Sequence, residues 1–323
     1  MNVLIYGSGA VGTGLAVFLI KSGQSVDLLA REETARALNE SGLRMSGIFG
    51  EFSAPPESFR VLSTLSGLDA ERYDFILVCT KSNDTLSAGK ELSGKKELLK
   101  ARGKIVHFQN GWGNAEKLLG YFDKEQIYTA RVITGFTRPA LHEVKITVHA
   151  QPVHIGSLFG SSPDAVKDLA AAIALGGLPC EVTEDIAKDL WAKMLYNCAL
   201  NPLGAILRVP YGFLGERLQT RQIMDRIFDE IYNLFEITGH ETHWSSAPEY
   251  REVFYSKLLP STYGHESSML QDLIQDKETE IDALNGAVVT MGDNHQLDLP
   301  YNRFCLQLIK TLEGSSADTR SGS

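Results

Sequence analysis

Through the first half of the chain, short apolar, β-branched runs alternate with longer stretches of helical period, and the runs stop after about residue 184. Strands are predicted at 2–6, 25–29, 74–80, 104–108 and 127–133, with a further pair near 144–149 and 152–157 and a short one at 179–182. Alternation of this kind predicts an α/β domain, a doubly wound parallel sheet covered by helices. The Ala-rich segment from Asp164 to about Leu175 reads as one helix, and nearly everything from 185 to 313 reads as helix. The expected division is therefore a sheet domain over 1–184, an all-α C-terminal domain over 185–313, and a disordered Gly/Ser-rich tail over 314–323.

Composition narrows the function classes. The 323 residues are 43% hydrophobic, enough for two modest cores. With 31 Lys+Arg against 40 Asp+Glu the net charge is −9, which lacks the basic footprint that duplex nucleic acid requires. The four cysteines, Cys79, Cys180, Cys198 and Cys305, are widely spaced and read as free thiols in a reducing compartment. No basic leader precedes Val3-Leu4-Ile5-Tyr6, and no apolar run reaches about 18 residues. A cytoplasmic protein with no membrane partner is expected.

Gly7-Ser8-Gly9-Ala10-Val11-Gly12 follows the first strand and opens a helical run through Leu15, Ala16, Phe18 and Leu19. In a Rossmann-type fold the first glycine permits the tight turn, the second lets backbone approach a pyrophosphate, and the third lets helix and strand pack closely. Phosphates then meet N–H groups at the helix start. The second strand ends Leu28-Leu29-Ala30-Arg31, with no carboxylate where a ribose 2′-OH would be bound. Arg31 can fork onto a 2′-phosphate, so NADP(H) is favoured, although Glu32 and Glu33 beside it could serve NAD. Lys81 and Asn110 close successive strands, where ligands bind in such sheets.

In the second domain, Lys193, Asn197 and Asn201 recur every four residues, along one face of a helix whose apolar side carries Trp191, Met194, Leu195 and Cys198. Pro202 is expected to end or kink that helix. By periodicity alone this stripe reads equally well as a solvated face.

These residues together resemble the ketopantoate reductase (2-dehydropantoate 2-reductase) family from the first glycine to about Leu312. The matching features are the Gly7–Gly12 turn, Thr80-Lys81, Gln109-Asn110-Gly111, and Leu190-Trp191-x-Lys193-x-x-x-Asn197-x-x-x-Asn201-Pro202-Leu203. To these add Ser267-Ser268-Met269-Leu270-Gln271-Asp272 and Thr279-Glu280-Ile281-Asp282-x-x-Asn285-Gly286. The resemblance implies NADPH-dependent reduction of a 2-oxo acid in a cleft between the domains. It makes Lys193 the general acid and gives Glu280 the substrate hydroxyl to hold. Asn197, Asn201 and Ser268 would orient the substrate, while Lys81 and Asn110 would line the cofactor side. Hydride addition builds negative charge on a ketone oxygen, and a positioned lysine can both stabilise and protonate it.

Ser268 and Glu280 pose a geometric condition, because twelve residues of continuous helix would separate them by about 18 Å. A helix break near Gln275-Asp276-Lys277-Glu278, with a new start at Thr279, would return Glu280 to the site. Departures from the family lie near the substrate: His265 stands where an Asn is usual, and Ala130–Leu141 includes Arg131, Phe136 and Arg138. A different 2-oxo acid, or a non-catalytic NADP-binding sensor, are the competing readings. His240-x-x-His243 lacks convincing metal partners, and no metal is expected. Oligomeric state is left open, a homodimer being compatible with a helical second domain of this type.

Overall fold

The computed structural model describes residues 1–318 and divides into two compact units, Met1–Asn110 with Asn114–Ile186, and Gly111–Gly113 with the chain from Ala187 onward. The first unit contains an eight-stranded sheet in the order β12-β11-β8-β7-β6-β1-β2-β5. Its strands are β1 (Asn2–Tyr6), β2 (Ser25–Leu29), β5 (Arg60–Leu62), β6 (Tyr73–Val78), β7 (Leu99–His107), β8 (Ile127–Arg131), β11 (Val153–Gly156) and β12 (Cys180–Val182). β1 pairs in parallel with β2 on one side and β6 on the other, so strand order reverses at β1. The crevice outside the carboxyl end of such a switch point is where ligands of open α/β sheets bind.

A second sheet of four strands, β4-β3-β10-β9, is formed by β3 (Leu43–Gly47), β4 (Phe52–Ala54), β9 (Thr134–Ala140) and β10 (Glu143–His149). Its existence corrects the strand list read from sequence. β3, β4 and β5 are short and weakly apolar, so their alternation is hard to distinguish from loop. The strand expected over 127–133 stops at Arg131, and the chain then enters β9 at the sheet's edge, where Pro139 withdraws no N–H that a neighbour needs. Helix α1 (Ala10–Lys21) buries every residue from Gly12 to Leu19, in one core with β1, β2, β10 and α5 (Lys167–Gly176). Helices α2 (Glu32–Ser41), α3 (Thr85–Ser93) and α4 (Asn114–Leu119) complete this unit.

Asp27, the one carboxylate in β2, is 3% exposed. Its Oδ2 accepts hydrogen bonds from Arg60 Nη2 at 2.6 Å, Tyr73 OH at 2.6 Å and Arg72 Nε at 3.0 Å. Burial opposes ionisation, but the bonds from Arg60, Tyr73 and Arg72 outweigh it and hold the carboxyl below its ordinary 3.8. A depressed folded-state pKa stabilises above the unfolded value, and that contribution is lost as pH falls through the folded one. The urea midpoint should therefore drop below about pH 3.8. Asp27→Asn should flatten that decline and cost about 3 kcal/mol at neutral pH. Identical acid limbs for both proteins would refute the assignment.

The second unit is helical: α6 (Ile186–Leu207), α7 (Tyr211–Glu216), α8 (Leu218–Thr238), α9 (Ala247–Val253), α10 (Leu259–Ser261), α11 (Ser268–Ile274), α12 (Asn285–Asn294) and α13 (Pro300–Asp318). Their buried faces form a single cluster around Trp191, Leu195 and Cys198 of α6. Trp112 joins this unit by stacking on Trp191, with ring centroids 4.7 Å apart, and its N–H donates to Ala283 O at 2.8 Å. α13 continues to Asp318, so residues 314–318 are helical where a disordered tail is expected. The segment has no proline, and Gly314 alone costs a helix only about 1 kcal/mol. Residues 319–323 of that expected tail lie outside the described ones. No helix among the described residues is long and apolar enough to cross a membrane.

Candidate active site

In the first unit the glycine turn leaves β1 with Gly7 at φ +104°, a conformation that side chains resist. A Cβ on Gly12 would stand 2.0 Å from Gly7 O, whereas one on Gly9 would meet nothing within 4 Å. Gly12 is thus needed for packing, and Gly9 faces open space at the N-cap of α1. That helix start has no side-chain cap and no acidic residue in its first turn, an arrangement that favours an anion at its N–H groups. Ser8 is buried, its carbonyl accepting from Thr13 Oγ1 at 3.1 Å, and Ala10 and Val11 begin the helix. A helix start open at Gly9 fits a dinucleotide pyrophosphate.

Arg31 is the exposed N-cap of α2, immediately beyond β2. Asp27 is committed inside the sheet, while Glu32, 3.6 Å from Arg36, and Glu33 both lie exposed in the first turn of α2. Arg138 of β9, which sequence reasoning gave no cofactor role, donates from Nη2 to Thr34 Oγ1 at 2.8 Å and brings a second guanidinium to the first turn of α2. Lys81 and Asn110, both half-buried, stand beyond the adjacent ends of β6 and β7. Gln109 ties these ends together, its Nε2 donating to Lys81 O at 2.9 Å and to Thr80 Oγ1 at 3.3 Å. His107 in β7 is not an acid–base candidate, because burial pushes its pKa down to about 3 and Thr129 Oγ1 engages its Nε2 at 2.7 Å.

In the second unit, Lys193, Asn197 and Asn201 follow one another up a face of α6, Lys193 half-buried and both asparagines buried. The helix does not end at Pro202, one of the two effects expected of it, but runs past it to Leu207. Tyr211, which sequence reasoning missed, donates to Asn201 Oδ1 at 2.5 Å and so fixes which way the amide points. Burial raises the Tyr211 pKa far above its ordinary value, so the hydroxyl keeps its proton. Its ring meets the ring of His265 edge-on at 5.3 Å, and its N–H donates to His265 O at 3.0 Å. Burial lowers the His265 pKa below 6.5, which keeps the imidazole neutral near pH 7. Ser267 caps α11, accepting from Leu270 N, and donates to Asn201 O at 2.9 Å. Exposed Ser268 is thereby the first residue of a helix anchored to Asn201.

The break needed before Glu280 is present. α11 stops at Ile274, and Asp276 turns the chain with φ +52°. No α-helix starts at Thr279, however. Glu280, half-buried, is the N-cap of a 3₁₀ turn over Ile281–Ala283, and α12 begins at Asn285. Thr279 is held from both sides, its N–H donating to Glu313 Oε1 at 2.7 Å and its Oγ1 accepting from Ile281 N at 3.2 Å. The two histidines of the 240–243 segment serve separate contacts. His240 packs against Trp112 and Trp191, and His243 pairs with Asp189 at 2.8 Å.

Residues 3–159 match the family described as ketopantoate reductase PanE/ApbA, and residues 185–313 match that family's C-terminal part. The chain belongs to the ketopantoate reductase family. It is 35% identical over 314 residues to the 2-dehydropantoate 2-reductase of Aquifex aeolicus, covering 97% of both proteins. It is also 30% identical over 316 residues to that of Archaeoglobus fulgidus, covering 97% of this chain and 98% of the relative. Among solved structures, the PanE/ApbA family ketopantoate reductase from Ralstonia eutropha superposes with a TM-score of 0.84 at 28% identity, covering 98% of this chain and 99% of that one. The ternary structure of D-mandelate dehydrogenase with NADH and anilino(oxo)acetate does so at 0.86 and 25%, with the same coverage. The ketopantoate reductase sequence motifs thus fall on the α1 turn, on one face of α6 and on the segment from α11 to α12.

Proposed function

We propose that the protein reduces a 2-oxo acid to the 2-hydroxy acid with NADPH, its substrate being ketopantoate. The observation that carries this reading is the Lys193–Asn197–Asn201 face, continuous past Pro202, in a chain 35% identical along 97% of its length to a 2-dehydropantoate 2-reductase. When bound, NADPH supplies the hydride that reduces the carbonyl carbon. The helix start at Gly9 would hold the pyrophosphate, Arg31 the 2′-phosphate, and Lys81 and Asn110 the nicotinamide side. Lys193 donates its Nζ proton to the ketone oxygen, which leaves a neutral amine and an alcohol. Glu280 would accept from the substrate hydroxyl and help orient the lysine. Asn201, with its Oδ1 occupied by Tyr211, is left with Nδ2 as a donor for the substrate carboxylate. The Tyr211–His265 ring pair beside Asn201 favours a second reading, the same reaction on a 2-oxo acid with another side chain. A cytoplasmic enzyme is the setting that suits four buried free cysteines.

The test is to follow NADPH oxidation across a panel of 2-oxo acids. Turnover of ketopantoate far above the rest supports the first reading, and preference for another acid supports the second. NADPH binding without turnover of any acid would reject both and leave a sensor. For the cofactor, Arg31→Ala should weaken NADPH about tenfold or more and NADH less than twofold, consistent with one lost charge-assisted contact. Equal losses would show that Arg31 does not read the 2′-phosphate.

A further inference from the structure

We propose that Asn285 is a positioning residue for Lys193 and Glu280, acting as a substitute for the N–H that Pro202 lacks. It rests on the roles given to those two residues above. Pro202 lies inside α6, so the carbonyl four residues earlier, that of Cys198, has no donor in the helical ladder. Asn285 Nδ2 donates to Cys198 O at 3.0 Å, across 87 residues of sequence, with both residues fully buried. The same amide nitrogen donates to Asn302 Oδ1 at 2.9 Å. Its orientation is therefore fixed, since a flipped amide would set oxygen against oxygen at both places.

The bonding continues to a carboxylate. Asn302 Nδ2 donates to Glu230 Oε2 at 2.8 Å, and Glu230 also accepts the N–H groups of Tyr301 and Asn302 at 2.7 and 2.9 Å. Glu230 is thereby anchored on the first turn of α13, where a negative charge is favoured. Asn285 thus receives a rigid backing from α8 and α13 while it supports α6.

Position in the chain gives the bond its consequence. Cys198 lies between Lys193 and Pro202 on α6, and Asn285 follows Glu280 across the single turn Ile281–Ala283. One hydrogen bond therefore joins the helix that carries Lys193 to the short segment that carries Glu280. Without it a buried carbonyl is unpaired beside a proline, the combination at which helices kink. The register of the lysine face and its distance from the carboxylate would then no longer be determined.

The experiment compares Asn285→Ala, Pro202→Ala, the double variant and Lys193→Ala in the full chain. The readouts are kcat and KM for 2-oxo acid reduction, NADPH Kd by fluorescence, and thermal unfolding. Asn285→Ala should lower kcat about 10- to 100-fold at a temperature where it is folded, with NADPH Kd within twofold of wild type. Pro202→Ala restores an N–H to the ladder, so it should keep at least half of the wild-type kcat, and the double variant should recover at least tenfold over Asn285→Ala. A kcat for Asn285→Ala within twofold of wild type would overturn the proposal, as would a double variant no faster than Asn285→Ala. If Asn285→Ala does not fold, the double variant decides alone: folded and active supports the substitution of donors, and unfolded rejects it. Lys193→Ala separates the two levels, since its retaining turnover would reject the lysine's role itself, whereas its inactivity beside an active Asn285→Ala would reject only the role of Asn285.

Discussion

Lys193→Ala should lower kcat for 2-oxo acid reduction about 1,000-fold while leaving NADPH affinity within twofold. A positioned general acid contributes roughly 10²–10⁴-fold, and loss of a donor to a developing oxyanion costs a similar factor. In the proposed mechanism both roles fall on one ammonium, so their losses overlap instead of multiplying. Lys193 stands half-buried on α6, which runs past Pro202 to Leu207; at the same four-residue spacing Asp189 pairs with His243, and the other two polar groups are the amides of Asn197 and Asn201. Neither amide can give up a proton. Lys193→Arg separates charge from proton transfer, because a guanidinium retains its proton throughout the accessible pH range. It should bind the 2-oxo acid nearly as well as wild type and still turn over at least 100-fold more slowly. Steady-state kinetics with a fluorescence titration of NADPH checks both variants. Retention of more than a tenth of wild-type kcat by Lys193→Ala would remove the lysine from the chemistry.

The glycine turn offers a second large effect, in which two neighbouring substitutions should fail differently. A Cβ on Gly9 would touch nothing within 4 Å, and its backbone, at φ −72° and ψ −170°, suits any residue. Gly9→Ala should therefore fold with an unchanged melting temperature and yet weaken NADPH about 100-fold, because the methyl occupies the approach to the helix start. At Gly12 the Cβ would lie 2.0 Å from Gly7 O and 3.1 Å from both Cys79 Cβ and Ile5 Cγ2. Backbone and core atoms cannot yield there, so Gly12→Ala must lift α1 from β1 and β6. Overpacking of this kind costs about 1–3 kcal/mol. Gly12→Ala should thus lose both cofactor binding and several degrees of melting temperature. Calorimetry and NADPH titration of the pair provide the check, and unimpaired NADPH binding by Gly9→Ala would place the pyrophosphate elsewhere.

Legibility followed the range of the interactions. The Gly7–Gly12 turn, Arg31 just beyond β2 and the four-residue spacing of Lys193, Asn197 and Asn201 were readable because each is a local pattern, set by backbone sterics or helical period. The motif around Glu280 was readable only by family resemblance. The four-stranded sheet was not readable, since β3 and β10 pair across nearly a hundred residues and neither β4 nor β9 alternates strongly. Tyr211 was missed because an aromatic residue after a Val-Pro step looks like core until its hydroxyl is found on Asn201.

By itself, the sequence determined an α/β unit of dinucleotide type followed by helices, the Gly7–Gly12 turn after the first strand, and a helix face carrying Lys193, Asn197 and Asn201. Those follow from local sterics and periodicity, which need no distant partner. Tertiary structure alone decided that α6 survives its own proline, that Asn201 points one way, and that Glu280 sits on a short 3₁₀ turn joined to the lysine helix. Each of these depends on a buried polar group finding its complement far along the chain, as Cys198 O does in Asn285, and a buried group left without one would bear the full cost of desolvation.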